Sequence, residues 1–315
     1  MVILSGILLP LVRENRLDEL EEYLKTSNDP YSTACCMEEA SKTANYSALE
    51  LMLKYGVNPT YPYLDPWKNA KDVTVLEKLL PATLPLINDV LEYSPNAALH
   101  TLMEKAVELN AENVITTLLE NGASFSRYSL YQSIDKNYTE LAKKIIRTSQ
   151  IKIDDDIVDQ IINKQNMELI VFCEPCGEIN FKNEVFFKTS VGNSLEMFKF
   201  MLDRGNVVTG EIIDKSCAYP QIFEYILQNK LFPEEVDLSA KLLLKTIGDF
   251  NDQCVSYKIL ELLIDHCEMN KTYGAALYLL IAGFHVSLVK KMIEKGEEIL
   301  PGHELLAECL KIELK

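Results

Sequence analysis

The segment Ala106-Val-Glu-Leu-Asn-Ala-Glu-Asn-Val-Ile-Thr-Thr-Leu-Leu-Glu-Asn-Gly-Ala123 contains the end of one helix, a turn, a whole second helix and its stop. Asn110-Ala111 is the polar break. Beyond it, Val114, Ile115, Leu118 and Leu119 recur at the spacing of a buried helical stripe. Gly122 then supplies the left-handed residue that closes a helix, because glycine has no Cβ to clash there. The same apolar-to-glycine ending recurs in Leu51-Met-Leu-Lys-Tyr-Gly56, Phe200-Met-Leu-Asp-Arg-Gly205 and Lys291-Met-Ile-Glu-Lys-Gly296. Registered on these glycines, Ala40 to Val57, Ala106 to Ala123, Thr189 to Asn206 and Leu280 to Glu297 align without gaps. Ser133 to Gln150 makes a fifth copy, with Ser149 in the glycine place. Polar or small turns at Ala44-Asn45, Asn137-Tyr138 and Asn193-Ser194 match the break at Asn110, and Leu288, Val289, Met292 and Ile293 match the apolar stripe.

Between these copies the period continues in weaker form. Gln165 to Asn180 reads as a further unit, and Ala218 to Lys230 and Ile259 to Cys267 read as second helices of two more. Leu17 to Leu24 falls in a terminal unit, and Gly302 to Leu314 reads as a last helix. A repeat cannot bury both of its faces alone, so stacking with terminal caps is required. The expected fold is all-α: an α-solenoid of about nine to ten stacked helix-turn-helix repeats. It is expected to form a single domain over 1–315, with capping helices at about 1–26 and 302–315. Two stretches exceed the period. One lies between Gly56 and Ala106 and includes Thr60 to Trp67 and a helical run from Leu84 to Tyr93; the other is Gly248 to Cys254. Extra residues are expected in loops, where they leave the stacked contacts intact.

Units that run helix, turn, helix, glycine and short loop resemble the ankyrin repeat. Fragments of that family's opening motif survive at Ala98-Leu99-His100 and Asp65-Pro66-Trp67, and His285 falls in an inter-helix turn. The resemblance implies a groove lined by first helices and loops, with second helices forming the outer layer. It also implies that the two residues before each inter-helix turn face that groove. These are Lys42 and Thr43, Glu108 and Leu109, and Asp135 and Lys136, followed by the smaller Val191 and Gly192, and Ala282 and Gly283. The first three pairs form a mixed polar contact surface, and the last two allow closer backbone approach.

Charge limits the class of partner. The formal net charge of −16 opposes nucleic-acid phosphates and anionic lipid, so the expected partner is another protein with a basic or mixed-charge surface. The eight cysteines form no regular framework in a chain too long to need disulfide staples, which implies reduced thiols and an intracellular place, in cytoplasm or nucleus. Met1 to Val12 is apolar but lacks a basic start and a small-residue cleavage site, so it reads as part of the first helical unit rather than a signal peptide. No apolar run reaches the roughly 18 residues of a membrane span.

No catalytic signature is legible in the sequence. Cys173-Glu-Pro-Cys176 is half a zinc site without a second pair, and the strain of bridging adjacent residues argues against a Cys35–Cys36 disulfide. Asp154-Asp155-Asp156 runs into Ile157-Val158 rather than into alternating oxygen ligands, which suits a helix N-terminus better than a cation loop. Nucleophile elbows, paired metal-binding histidines and phosphate loops are absent from the sequence. No catalytic residue, metal or cofactor is expected.

The expected function is therefore a non-enzymatic protein–protein interaction module: an adaptor, scaffold subunit or inhibitor. Its contact residues are the groove pairs of the N-terminal half together with two aromatic loops, Tyr61, Tyr63 and Trp67, and Phe125, Arg127 and Tyr128. Tyr, Trp and Arg are the residue types that dominate interfaces. Trp67 could equally pack beneath its own loop. The alternatives are an α-solenoid enzyme or ligand receptor with a pocket at an insertion, a viral or bacterial effector, or an acidic nucleic-acid mimic aimed at a host protein.

Overall fold

The computed structural model describes the chain except residues 1, 27–28, 60–65, 91–94, 177–178, 193, 233–245, 248–256, 267–273, 284, 310, 312 and 315. The excess segment Gly248 to Cys254 therefore lies outside the described residues. Every regular element among the described residues is helical. The chain divides into two compact units, Met1–Gly177 and Glu178–Lys315.

In the first unit the helices are α1 (Val2–Arg13), α2 (Leu17–Thr26), α3 (Pro30–Thr43), α4 (Tyr46–Lys54), α5 (Val73–Val90), α6 (Pro95–Glu108), α7 (Glu112–Glu120), α8 (Arg127–Asp135), α9 (Thr139–Thr148), α10 (Asp155–Asn163) and α11 (Met167–Cys173). Ten of them form five pairs, α1 with α2, α3 with α4, α6 with α7, α8 with α9 and α10 with α11, and α5 stands between pairs. First helices pack on first helices (α1 on α3, α6 on α8, α8 on α10), and second helices on second helices (α2 on α4, α9 on α11). The second unit repeats the pairing. Its helices are α12 (Glu184–Val191), α13 (Leu195–Asp203), α14 (Gly210–Ser216), α15 (Pro220–Gln228), α16 (Tyr257–His266), α17 (Gly274–Ala282), α18 (Val286–Glu294) and α19 (Pro301–Cys309). Here α12 packs on α14, α13 on α15, and α17 on α19. The final helix ends at Cys309, short of the Leu314 expected from the pattern.

One backbone device ends many of the paired helices, though not α14, whose turn closes from the Tyr219 amide to the Ser216 carbonyl at 2.8 Å. In the inter-helix turns, the amides of Arg16, Asn45, Ala111, Tyr138, Asn166 and His285 donate to carbonyls five residues back, at 2.8–3.2 Å. After the second helices, Val57, Ala123, Asn206, Leu231 and Glu297 do the same at 3.0–3.4 Å. This closure needs a left-handed residue immediately before the donor. Gly56, Gly122, Gly205 and Gly296 fill that place after second helices, with φ from +75° to +96°. Within pairs it falls to Asn15, Ala44, Asn110, Asn137 and Gln165, none of them glycine. Ser149 does not take it. It caps α9 in an extended conformation, so that helix leaves without the reversal the glycine copies make.

Packing follows the apolar stripe. Val114, Ile115 and Leu118 are buried in α7, and Leu288, Val289 and Met292 in α18, whereas Leu119 and Ile293 are half-buried at their flanks. In the second unit the core is aromatic: Phe187 stacks on Phe198 at 5.1 Å, and Phe198 meets Tyr225 edge-on. Two of the small residues expected to admit a partner have this chain's own side chains close by, whereas Ala282 is exposed. The Tyr219 hydroxyl lies 3.4 Å from where a Cβ on Gly192 would stand, and the His285 ring lies 2.7 Å from the same point on Gly283.

The excess sequence after Gly56 is not simply a loop. Much of it is α5, which packs on α4, α6 and α7 through buried Val75, Leu76, Leu79, Leu80 and Thr83. Pro81 and Pro85 lie inside this helix on its exposed side, so the backbone bonds they delete are those that water can replace. The other part holds Trp67, which is only 4% exposed.

Hydrogen bonds tie three of the turns to the preceding one. Asn45 Nδ2 donates to the Val12 carbonyl at 2.8 Å, the Tyr138 hydroxyl to the Glu108 carbonyl at 3.4 Å, and Asn166 Nδ2 to Asn137 Oδ1 at 2.9 Å and to Thr139 Oγ1 at 2.7 Å. Asn166 is buried and also caps α11 through the amide of Leu169. Replacing Asn166 with Ala is expected to cost about 2 kcal/mol, combining a lost cap with lost donors. Gly122→Ala is expected to cost about 1–2 kcal/mol from backbone strain alone, because nothing stands within 4 Å of the added methyl. Urea unfolding of both variants checks these values, and a neutral Gly122→Ala would refute the left-handed closure.

Candidate functional site

Consecutive first helices of the first unit enclose an open pocket of about 540 Å³. Glu108 enters from the C-terminal end of α6. Helix α8 supplies Tyr128, Tyr131, Gln132 and Asp135, with Lys136 as its cap, and α10 supplies Gln160. The spacing on α8 explains the gathering. Residues 128, 131, 132 and 135 are separated by three or four positions and share one face, while Leu130, Ser133 and Ile134 turn inward and are buried.

The start of α8 is pinned. Ser126 caps it and forms a reciprocal pair of bonds with Ser129. Arg127 then reaches across to the next first helix, donating through Nη2 to Asp154 Oδ1 at 2.8 Å and through Nη1 to Asp154 Oδ2, and it also contacts Asp156 at 3.5 Å. Its Nη2 bonds the Tyr131 hydroxyl at 2.9 Å, and the guanidinium stacks 5.3 Å from that ring. Asp154 is at the same time the N-cap of α10, accepting from the amide of Ile157. The guanidinium holds the Asp154 carboxyl below the usual carboxylate range, with the Ile157 amide adding to the effect.

The rim is charged. Glu108 Oε2 accepts from Lys105 at 3.1 Å, and Asp135 Oδ1 pairs with Lys164 at 2.6 Å, which lowers the Asp135 pKa. Deeper in the wall, Gln160 Nε2 donates to the Tyr131 carbonyl at 3.2 Å, and this fixes which end of the amide is oxygen. The Oε1 atoms of Gln160 and Gln132 are buried and accept no hydrogen bond. A buried acceptor left unpaired costs about 1–3 kcal/mol. Both oxygens have almost no accessible surface, so they belong to the packed wall behind the pocket and not to its open face.

Of the residues singled out from sequence, the structure brings Glu108, Tyr128, Asp135 and Lys136 together in this pocket. Arg127 stands beside it and braces α8 against α10. Leu109 is half-buried next to Glu108, and Phe125 is a core residue at 9% exposure. Lys42 and Thr43 are exposed on α3, where Lys42 pairs with Glu38 at 2.6 Å and the Thr43 hydroxyl bonds the Glu39 carbonyl at 2.9 Å. They are not among the pocket's lining residues. Trp67 is core, and its indole N–H is buried without an acceptor. Tyr61 and Tyr63 lie outside the described residues. Sequence reading missed Tyr131, Gln132 and Gln160. The first two follow from Tyr128 and Asp135 by helical spacing; Gln160 belongs to the next repeat and carries no signal of its own. Among the described residues, no cluster of three or more His, Cys, Asp or Glu is arranged to hold a metal, and no helix is long and apolar enough to cross a membrane.

Two outcomes follow. Gln132→Met is expected to unfold at the same temperature as the parent or higher, since it removes an acceptor that has no donor; a clear drop in the melting transition would mean that the oxygen is satisfied in solution. Arg127→Ala is expected to weaken the fold above about pH 5. The depressed carboxyl of Asp154 contributes stability when ionised and loses it as pH falls through its lowered folded value, so parent and variant should converge in acid. Denaturation midpoints from pH 7 down to 3 check this, and a pH-independent difference would contradict it.

Neither protein-family models nor curated proteins give a match to this chain, so its chemistry is read from its own geometry.

Proposed function

We propose that this chain is a non-enzymatic interaction module whose helix pairs are divergent ankyrin-type repeats, and that it holds a partner protein against the first-helix face of α6, α8 and α10. The observation that carries this reading is the convergence of Glu108, Tyr128, Asp135 and Lys136 on one open pocket. Three of them sit immediately before inter-helix turns, where the repeat pattern directs residues to a partner. Tyr128 is 56% exposed, an unusual exposure for a large aromatic ring, and tyrosine is enriched at interface hot spots. Ion pairs and turn-to-turn bonds hold the flanking helices in place, so a partner meets a preorganised surface and less ordering entropy is lost on binding.

The net charge of −16 favours a basic or mixed-charge partner through steering and complementarity. An intracellular setting fits Cys36, whose thiol is pushed up to about 12 by burial, as suits a reduced core thiol. A second reading, a receptor for a small molecule, is favoured by the pocket's volume, which falls inside the range of roughly 300–1,000 Å³ usual for such sites.

A photo-crosslinking amino acid placed at Tyr128, in the full chain expressed in its native cell, is expected to capture a specific protein. The same group at Lys144, on second helix α9, is expected not to. Equal labelling at both positions, or none at position 128, would remove the first-helix face as the binding surface.

A further inference from the structure

We propose that the turn between α3 and α4 cannot carry the N-linked glycan that its own sequence invites, and that the chain therefore folds in a compartment where oligosaccharide transfer does not operate. Asn45-Tyr46-Ser47, Asn137-Tyr138-Thr139 and Asn270-Lys271-Thr272 each match the Asn-x-Ser/Thr acceptor, whereas Asn58-Pro59-Thr60 is blocked by its proline. Asn270 to Thr272 lies outside the described residues. A chain that enters a glycosylating lumen meets the transferase while still unfolded, so the fold does not decide which asparagine is modified. It decides what the modification costs. In a secreted protein such an acceptor belongs on a free surface loop, where a bulky glycan disturbs nothing.

Asn45 is not placed that way. Its side chain joins two helix ends at once: Oδ1 accepts from the Ala48 amide at 3.1 Å and caps α4, and Nδ2 donates to the Val12 carbonyl, near the end of α1, at 2.8 Å. Its backbone amide closes α3 on the Ala40 carbonyl at 2.9 Å, behind Ala44 at φ +52°. The next residue anchors the turn forward, since the Tyr46 hydroxyl donates to Asp72 Oδ2 at 2.6 Å and Asp72 Oδ1 accepts from the Val75 amide in the first turn of α5. Transfer replaces one Nδ2 hydrogen with C1 of a sugar. A lipid-linked oligosaccharide supplies that sugar, its lipid pyrophosphate leaves, and the amide proton passes to base. A pyranose ring then crowds a nitrogen that must lie 2.8 Å from the Val12 carbonyl in a half-buried turn, and the tie to α1 has to open. Asn137 differs. It is exposed and commits its oxygen, which accepts from Asn166 Nδ2 at 2.9 Å, so a sugar on its own nitrogen leaves that bond in place. The two acceptors match in sequence and differ in what folding asks of their nitrogen. This deepens the intracellular setting proposed above and is independent of the binding face.

The test places a cleavable secretory leader before the full chain in a glycosylating eukaryotic cell and compares it with the same chain made in the cytosol. Every arm carries Thr272→Ala, which removes the acceptor at Asn270. Enzymatic release of the glycans in heavy-oxygen water marks each occupied asparagine as a labelled aspartate in the mass spectrum. Asn45 is expected to be occupied in the chain retained by the cell. Secreted yield is expected to lie several-fold below that of a Ser47→Ala or Ser47→Glu chain, which loses the acceptor at an exposed position and keeps Asn45 itself. Whichever of these two variants melts closer to the parent as a cytosolic chain is the one scored. Its secreted form is expected to carry a glycan at Asn137 and to melt no lower than the cytosolic form. A secreted chain that is occupied at Asn45 and melts with the cytosolic one overturns the proposal. So does an unoccupied Asn45 behind the leader, or a Ser47 variant retained as fully as the parent. None of these outcomes bears on capture at position 128, so the two proposals stand or fall separately.

Discussion

The structure depends on how each helix is stopped. A single left-handed residue, followed by an amide that reaches back five positions, reverses the chain within two or three residues and satisfies carbonyls that would otherwise be orphaned. Because the same closure recurs in both units, successive helices start from equivalent places. That is why first helices meet first helices and why residues in successive turns can bond one another, as Asn166 does with Asn137 and Thr139. Without the closure the apolar stripes would still exist, but they would have no common register against which to pack.

The energetic weight of the closure is divided unevenly between residue types. After second helices, glycine accepts positive φ freely. Within pairs, Asn and even Ala and Gln are held there, at a cost that the buried helices on either side must offset. The device is thus local in geometry and tertiary in energy. The same division explains which parts could be read from sequence. Glycine announces its role through its type, so the endings at 56, 122, 205 and 296 were legible. Gln165 and Lys230 take the same conformation with no compositional sign, and Ser149, aligned by register alone, does not take it. Helix α5 was obscured for a different reason. The sequence showed only a helical run from Leu84, and the helix carries two prolines that are tolerable because they lie on the exposed side, which requires knowing which side is buried.

The candidate site was legible where it followed the repeat and illegible where it crossed between repeats. Glu108, Asp135 and Lys136 could be named because they precede turns, and Tyr128 because it follows a glycine loop. Gln132 belongs to the same helical face as these and was recoverable from spacing. Gln160 sits in the next unit at a position with no special residue type, and its role arises from an oxygen that folding leaves unpaired. Unsatisfied valence of this kind is a property of packed neighbours, and a single sequence does not express it. Aromatic content was a poorer guide. Trp67 and Phe125 carry the residue types of interfaces yet serve the core, since large rings fill interior volume as readily as they bind partners.

Trp67 has a practical consequence. It is the only tryptophan in the chain, it is 4% exposed, and it belongs to the unit Met1–Gly177. Its emission is therefore an optical tag on one half of the molecule, starting from a dry environment and moving to a wet one on unfolding. Backbone dichroism reports every helix at once. Comparing the two signals along a single denaturation curve turns a buried indole into a gauge of cooperativity between the two units, with no label to attach and no residue to change.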